Sequence, residues 1–177
     1  MGQLKQLLVL GDKPLIRLCL DSIVASGVKD IVVVLGQQGS KIMGAMKGIS
    51  VKAVFNADPG SEMADSVRIG LRAIDDSATG VLISLCDHPL VSPETIRLLI
   101  QIHGEDQGKI IVPLYNGKRG HPSLFPKNAL KELPKSQTLR EMIKNDPGRI
   151  RFVGVLDEGV ILDVDTEEDY RVIRKKF

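Results

Sequence analysis

The chain has 177 residues, 43% of them hydrophobic, which suits one globular domain with a sizeable core. Its 24 basic and 22 acidic residues leave a formal charge of +2, too small to announce a nucleic-acid partner or a membrane surface. Cys19 and Cys86 lie in apolar runs and read as buried thiols of a reducing, cytoplasmic setting, and no apolar stretch reaches the roughly 20 residues of a membrane span.

Short Val, Ile and Leu runs bounded by Gly, Asp or Pro alternate with longer amphipathic segments, the pattern of an α/β fold. At the amino end Lys5 precedes an apolar run, and MGQLKQLLVLGDKP lacks the long apolar centre of a signal peptide. A helix is predicted over Pro14–Ser26, a strand over Asp30–Leu35, a helix over Gly39–Lys47 and a strand over Val51–Phe55. There follow a helix over Ala64–Ile74, a strand over Gly80–Leu85, a helix over Pro93–His103 and a strand over Lys109–Leu114. Pro14 and Pro93 suit first helical turns, and Ser92 suits an N-cap. The continuous apolar character of these strands predicts a mostly parallel twisted sheet covered on both faces.

From Lys118 the alternation loosens into a strand around His121–Phe125, two short helices, a strand over Arg149–Leu156 and a last helix from Thr166. This half is expected to add antiparallel strands and cover the open end of the sheet. With no repeat or linker in view, residues 1–177 read as a single domain, with ligands expected outside the carboxyl ends of the strands.

Asp87 follows the apolar run GVLISLC and precedes HPLVSPETI, so its carboxylate stands where a strand ends, at the mouth of that crevice. A carboxylate there suits Mg²⁺, which takes oxygen ligands and uses one or two carboxylates plus substrate phosphates. A loop aspartate capping the next helix explains the position as well. In ILDVDTEEDY, Thr166 and Asp169 form a capping box, and Glu167 and Glu168 complement the helix dipole. Capping leaves Asp163 and Asp165 unexplained; they alternate with Leu162 and Val164 as in a strand, and either is placed to complete a Mg²⁺ site with Asp87.

His88, His103 and His121 lack metal-ligand spacing, and His103 reads as a surface residue at a helix end. The sequence has no P-loop, no G-x-S-x-G elbow and no G-x-G-x-x-G after a strand, which demotes P-loop NTPases, serine hydrolases and dinucleotide oxidoreductases.

Taken in order, MGQLK, GDKPLI, GSEMADSVRIGL, CDHPLV, GHPSLF and DVDTEEDY resemble the successive motifs of the MobA/MocA-like NTP transferase family, particularly its molybdenum cofactor cytidylyltransferase branch. The resemblance implies a Rossmann-like three-layer sandwich of the nucleotide-diphospho-sugar transferase type. It implies transfer of a nucleoside monophosphate from an NTP, CTP favoured, to a phosphorylated acceptor such as molybdopterin, with Mg²⁺ as cofactor. Lys5 would touch the nucleotide phosphates and Asp87 would bind Mg²⁺, the two carrying catalysis. Gly60, Met63, Ser66 and Arg68 would line the nucleotide pocket, and His88, Gly120, His121 and Pro122 would face the acceptor. Asp165, ahead of Asp163, would be the second metal ligand.

Family members open with a strand and a glycine-rich loop before M-G, whereas this sequence starts at that M-G and is expected to be truncated at its amino end. A homo-oligomer is one way to cover the sheet edges so exposed. His88 stands where the family commonly has glutamine, which leaves the acceptor open to a sugar phosphate, phospholactate or cobinamide phosphate. A glycosyltransferase using Asp163-Val164-Asp165 as a D-x-D motif and a catalytically silent nucleotide-binding module remain as alternatives.

Overall fold

The computed structural model describes residues 4–131 and 138–177. A 3-10 turn at Lys5–Leu7 leads into a small hairpin of β1 (Val9–Leu10) and β2 (Lys13–Pro14), then α1 (Leu15–Ala25), β3 (Val32–Leu35) and α2 (Gly39–Ile42). Next come β4 (Lys52–Phe55), α3 (Met63–Leu71), β5 (Gly80–Ile83), α4 (Pro93–Glu105), β6 (Ile110–Tyr115), β7 (Lys118–Arg119) and β8 (Ser123–Pro126). The chain finishes with α5 (Lys127–Lys131), α6 (Leu139–Asn145), β9 (Ile150–Gly154) and α7 (Glu167–Lys176).

The α/β architecture expected from the alternation is present, with the ends of several elements trimmed. Ser92 caps α4 by accepting from the Thr95 amide at 3.2 Å, and Pro93 occupies its first turn. Pro14 instead stands before α1 as its N-cap, with an extended ψ of 149°. The helix expected over Gly39–Lys47 divides into α2 and a 3-10 turn at Met43–Met46, where Gly44 weakens the α-helical run.

The central sheet is mixed. Antiparallel β8 lies between β5 and β6, β7 pairs antiparallel with β6 at one edge, and β9 pairs parallel with β6. The antiparallel addition therefore enters the interior of the sheet. Strands β3 and β4 form a separate parallel ladder, Val32 opposite Lys52 through Leu35 opposite Phe55.

Alternate residues of the central strands feed opposite faces, as strand geometry requires. Val81, Ile110, Val112 and Phe125 pack with α3, α5 and α6, whereas Leu82, Ile111 and Leu124 pack with Leu99 and Ile102 of α4. A third cluster joins α1, β3 and the 39–46 turn, and a fourth sets Leu10 and Leu15 against Val164 and Ile173 of the carboxyl end. No helix among the described residues is long and apolar enough to cross a membrane.

Several local expectations change. His103 is buried rather than on the surface, because glycine at position 80 leaves room for its ring and Thr79 Oγ1 lies 3.2 Å from its Nε2. Cys19 is buried, but Cys86 is only partly so. Residues 162–165 are not a strand: they follow a 3-10 turn at Glu158–Ile161, and Val164 donates its amide to the Asp87 carbonyl at 2.9 Å.

The expected capping box is present at α7, where the Asp169 amide donates to Thr166 Oγ1 at 3.1 Å and the Thr166 amide to Asp169 Oδ2 at 2.7 Å. The Asp165 amide also donates to Asp169 Oδ2, at 3.3 Å, so the cap sets the exit of the acidic segment. Thr166→Ala is expected to destabilise the protein by about 1 kcal/mol, read as a lower urea midpoint with an unchanged slope.

Candidate functional site

The site lies where β5 runs out. Past Ile83 the chain continues through Ser84, Leu85 and Cys86 to Asp87, beyond the carboxyl end of a strand of the central sheet. The Val164 amide on the Asp87 carbonyl brings the 163–165 segment alongside, so two carboxylates distant in sequence share one opening.

Both converge on Lys5. Its Nζ lies 3.0 Å from Asp87 Oδ2 and 2.5 Å from Asp165 Oδ1. His88, 8% exposed, places Nδ1 2.8 Å from Asp87 Oδ1, so one oxygen of that carboxylate is held by histidine and the other faces the cation. Burial pushes the Asp87 pKa up, but the hydrogen bonds from His88 and Lys5 outweigh it and hold the carboxyl well below its usual range. Burial likewise lowers the Lys5 pKa, yet the bonds to Asp165 and Asp87 prevail and raise it above the ordinary lysine value.

A cleft of about 450 Å³ opens here, with Asp87, Asp163, Asp165, Lys118, Arg119 and His121 among its lining residues. The His121 ring meets His88 edge to face with centroids 5.0 Å apart, and its buried Nδ1 has no hydrogen-bond partner. Burial, the largest influence, and His88 lower the His121 pKa against the opposing pull of Asp87 and Asp163. The His121–Pro122 peptide is cis. Gly120 is required by packing, since a Cβ there would lie 2.6 Å from both Cγ2 and the carbonyl oxygen of Val160.

Asp163 lines the same cleft, but it is Asp165 that reaches Lys5. Gly60, Met63, Ser66 and Arg68 gather elsewhere, at the junction of β4 and α3, and none of them lines the acidic cleft. There Arg68 pairs with Asp65 at 2.9 Å, and the Gly60 amide donates to Asp58 at 2.9 Å. Ser66 accepts from Asn56 Nδ2 at 3.0 Å, while Asn56, 6% exposed, also donates to Ser61 Oγ at 2.8 Å.

Asn56 and the pair Lys118–Arg119 were not anticipated from the sequence. For the pair a signal exists: Asn116-Gly117 stands between Tyr115 and Lys118, which are paired in the ladder, and has φ of 49° and 77°. Two positive φ values at Asn-Gly are the mark of a two-residue hairpin turn, and that hairpin carries Lys118 and Arg119 to the cleft. The Arg119 guanidinium lies over the Phe152 ring, 5.0 Å from its centroid.

Among the described residues no group of three or more histidine, cysteine or acidic side chains is arranged to hold a metal ion. The donor set nevertheless suits a hard divalent cation. Two carboxylate oxygens aimed at one positive charge are what Mg²⁺ takes from a protein when waters and phosphates complete its shell.

A cleft outside the carboxyl end of a strand is where an open α/β sheet receives its ligand. The chain belongs to the MobA-like NTP transferase domain family, whose sequence profile matches residues 1–150, and so to the nucleotidyltransferases. It is similar in structure to Rv0371c of Mycobacterium tuberculosis, at 29% identity and a TM-score of 0.85 over 99% of this chain and 90% of that one. A manganese complex of Rv0371c superposes with a TM-score of 0.83 at 30% identity, over 98% of this chain and 92% of that one. The bifunctional protein GlmU of Symbiobacterium thermophilum is 35% identical over 97 residues, 54% of this chain. The chain spans only 20% of the length of that curated relative.

Removing the lysine tests the electrostatics. In Lys5→Met, Asp87 is expected to titrate at higher pH than in the parent, followed by the carboxyl carbon resonance in an NMR titration. Because the folded pKa is depressed, the stabilisation from ionised Asp87 is present above its ordinary 3.8 and is lost as pH falls through the lower folded value. The variant should therefore lose stability at neutral pH and show a shallower loss on acidification.

Proposed function

We propose that the protein is a Mg²⁺-dependent nucleotidyltransferase that moves a nucleoside monophosphate from an NTP, with CTP favoured, to a small phosphorylated acceptor of the molybdopterin type. The observation that carries this reading is the convergence of Asp87 and Asp165 on the Lys5 ammonium, beside a cleft lined by Lys118 and Arg119. The manganese complex of Rv0371c supports use of a divalent cation.

In this reading an acceptor phosphate oxygen attacks the α-phosphorus of the NTP, the new P–O bond forms in line, and the bond to the departing pyrophosphate breaks. Mg²⁺, held by Asp87 and Asp165, would neutralise phosphate charge as it builds. His88 fixes the Asp87 carboxylate so that Oδ2 keeps facing the cation position. Lys5, which here balances both carboxylates, offers its ammonium to the nucleotide phosphates.

The β4–α3 junction, with Gly60, Met63, Ser66 and Arg68, receives the nucleoside portion, and the buried Asn56 amide holds that loop in shape through Ser61 and Ser66. Lys118 and Arg119 in the wall of the cleft meet the acceptor phosphate, and His121 lines the same cleft. Two basic side chains at the rim favour a dianionic acceptor over a neutral one.

The experiment is pyrophosphate release with Mg²⁺ and each of CTP, GTP, ATP and UTP, with and without molybdopterin. Acceptor-dependent release that is fastest with CTP is expected, falling on the order of a hundredfold or more in Asp87→Asn and in Asp165→Asn. Full turnover in Asp87→Asn would remove the metal assignment, and release without regard to the acceptor would remove the transfer reaction.

A further inference from the structure

The segment that carries Asp163 and Asp165 has little regular structure of its own. Past the 3-10 turn at Glu158–Ile161 it joins no ladder, so its place is set by what it is tied to. The ties run to the loop between β5 and α4 and to the His121 strand. The Val164 amide donates to the Asp87 carbonyl at 2.9 Å, and the Val160 carbonyl accepts the His121 amide at 2.7 Å. Gly159 passes so near the loop that a Cβ there would lie 2.3 Å from the Leu90 carbonyl oxygen. Val160 and Val164 are fully buried. Residues 157–165 thus form a strap stitched to the walls of the cleft.

The strap begins at Asp157, whose carboxylate joins both sides of the seam. Oδ2 accepts from the Ser92 amide at 2.9 Å and from the Thr95 hydroxyl at 2.7 Å, while Oδ1 accepts from the Gly159 amide at 2.9 Å. Helix α4 has its own cap without Asp157, since Ser92 Oγ already accepts the Thr95 amide. Asp157 takes what that cap leaves over, the Ser92 amide and the buried Thr95 hydroxyl, 65 and 62 positions away in sequence. Bonds to a carboxylate are the stronger kind. Rising residues of the strap then meet falling residues of the loop: Asp157 meets Ser92, Gly159 meets Leu90 and Val164 meets Asp87. The two run antiparallel, with Asp157 at one end and Asp165 at the other.

We infer that Asp157 is a positioning residue for the acidic site, clamping the strap to the start of α4 and thereby holding Asp165 beside Asp87. The inference rests on the reading that these two carboxylates share a cation. Asp157 acts through the register of the strap. A one-residue slip would bring Glu158 or Val160 to the Leu90 carbonyl, where no Cβ fits. A strap released at Asp157 therefore lifts away instead of sliding, and Asp165 goes with it. Asp87, braced by His88, stays.

The clamp is tested by amide hydrogen exchange on the parent, Asp157→Ala, Thr95→Val, the double variant and Thr138→Ala. The last removes the cap of α6 and so destabilises the protein away from the strap. In Asp157→Ala, exchange at the His121 and Val164 amides is expected to rise on the order of tenfold or more while residues 110–112 of β6 keep their rates. Thr95→Val is expected to give a smaller rise at the same amides and to add less in the double variant than alone, as partners in one bond do. An unmoved Val164 amide, an equal rise along β6, or the same pattern in Thr138→Ala would overturn the proposal. A second arm adds Mn²⁺ and reads paramagnetic broadening of the NMR signals of Asp87 and Asp165. Both are expected to broaden together in the parent, whereas in Asp157→Ala the Asp165 signal needs on the order of tenfold more metal, the scale on which residues behind a ligand act. Broadening at Asp165 that is the same in Asp157→Ala would also overturn the proposal. No broadening of either signal in the parent would instead remove the shared-cation reading, and the exchange arm alone then decides the clamp.

Discussion

One lysine ammonium held between two carboxylates ties the ends of this protein to its middle. Lys5 reaches Asp87 across 82 positions of sequence and Asp165 across 160, so the pairing is satisfied only when the amino end, the β5 strand and the carboxyl segment have all found their places. The surrounding contacts repeat the theme: Val164 hangs on the Asp87 carbonyl, Tyr170 donates its hydroxyl to the Val9 carbonyl, and Leu10, Leu15, Val164 and Ile173 form one buried cluster. Charge convergence at the opening is thus backed by apolar packing behind it, and the opposing charges stay close because the main chain keeps them there.

The strand β5 serves two environments. Along its length it borders an apolar cavity that it shares with β3, and past its end it delivers Asp87 to a polar cleft. The same separation holds for the candidate residues: Met63 and Ser66 border the apolar side, while Asp163, Asp165, Lys118 and Arg119 border the polar one. In the proposed reading, the side chains assigned to base and to phosphate therefore border separate cavities, one along β5 and one past its end.

Much of this was legible in the sequence, because the signals are local. Unbroken apolar runs marked the strands, Ser92-Pro93 and Thr166 with Asp169 marked helix starts, and Asp87 after GVLISLC marked a strand end. What escaped depends on partners far along the chain. Antiparallel β8 inside the sheet follows from pairing with both β5 and β6, which no periodicity in 123–126 encodes. The sequence around His103 reads as a surface helix end because its burial is permitted by a glycine more than twenty positions away in sequence, at Gly80. The alternation at Leu162–Asp165 resembled a strand, yet with the single Val164–Asp87 bond the segment extends no ladder. The Asn116-Gly117 turn is a local signal, whereas the placement of Lys118 and Arg119 at the cleft depends on where that hairpin sits in the fold.

The two carboxylates at the centre of the site differ in stiffness. Asp87 is 21% exposed and braced by His88, whereas Asp165 is 65% exposed at the threshold of the last helix. In the proposed reading, a metal ion bound there would meet one buried, braced carboxylate and one more exposed to water. Such a pair sets the location of the ion closely while leaving its bond lengths to be finished by water and phosphate. On that reading ions of somewhat different radius would fit the same place, and the choice among them would pass from the fold to the abundance of each metal in the surrounding solution.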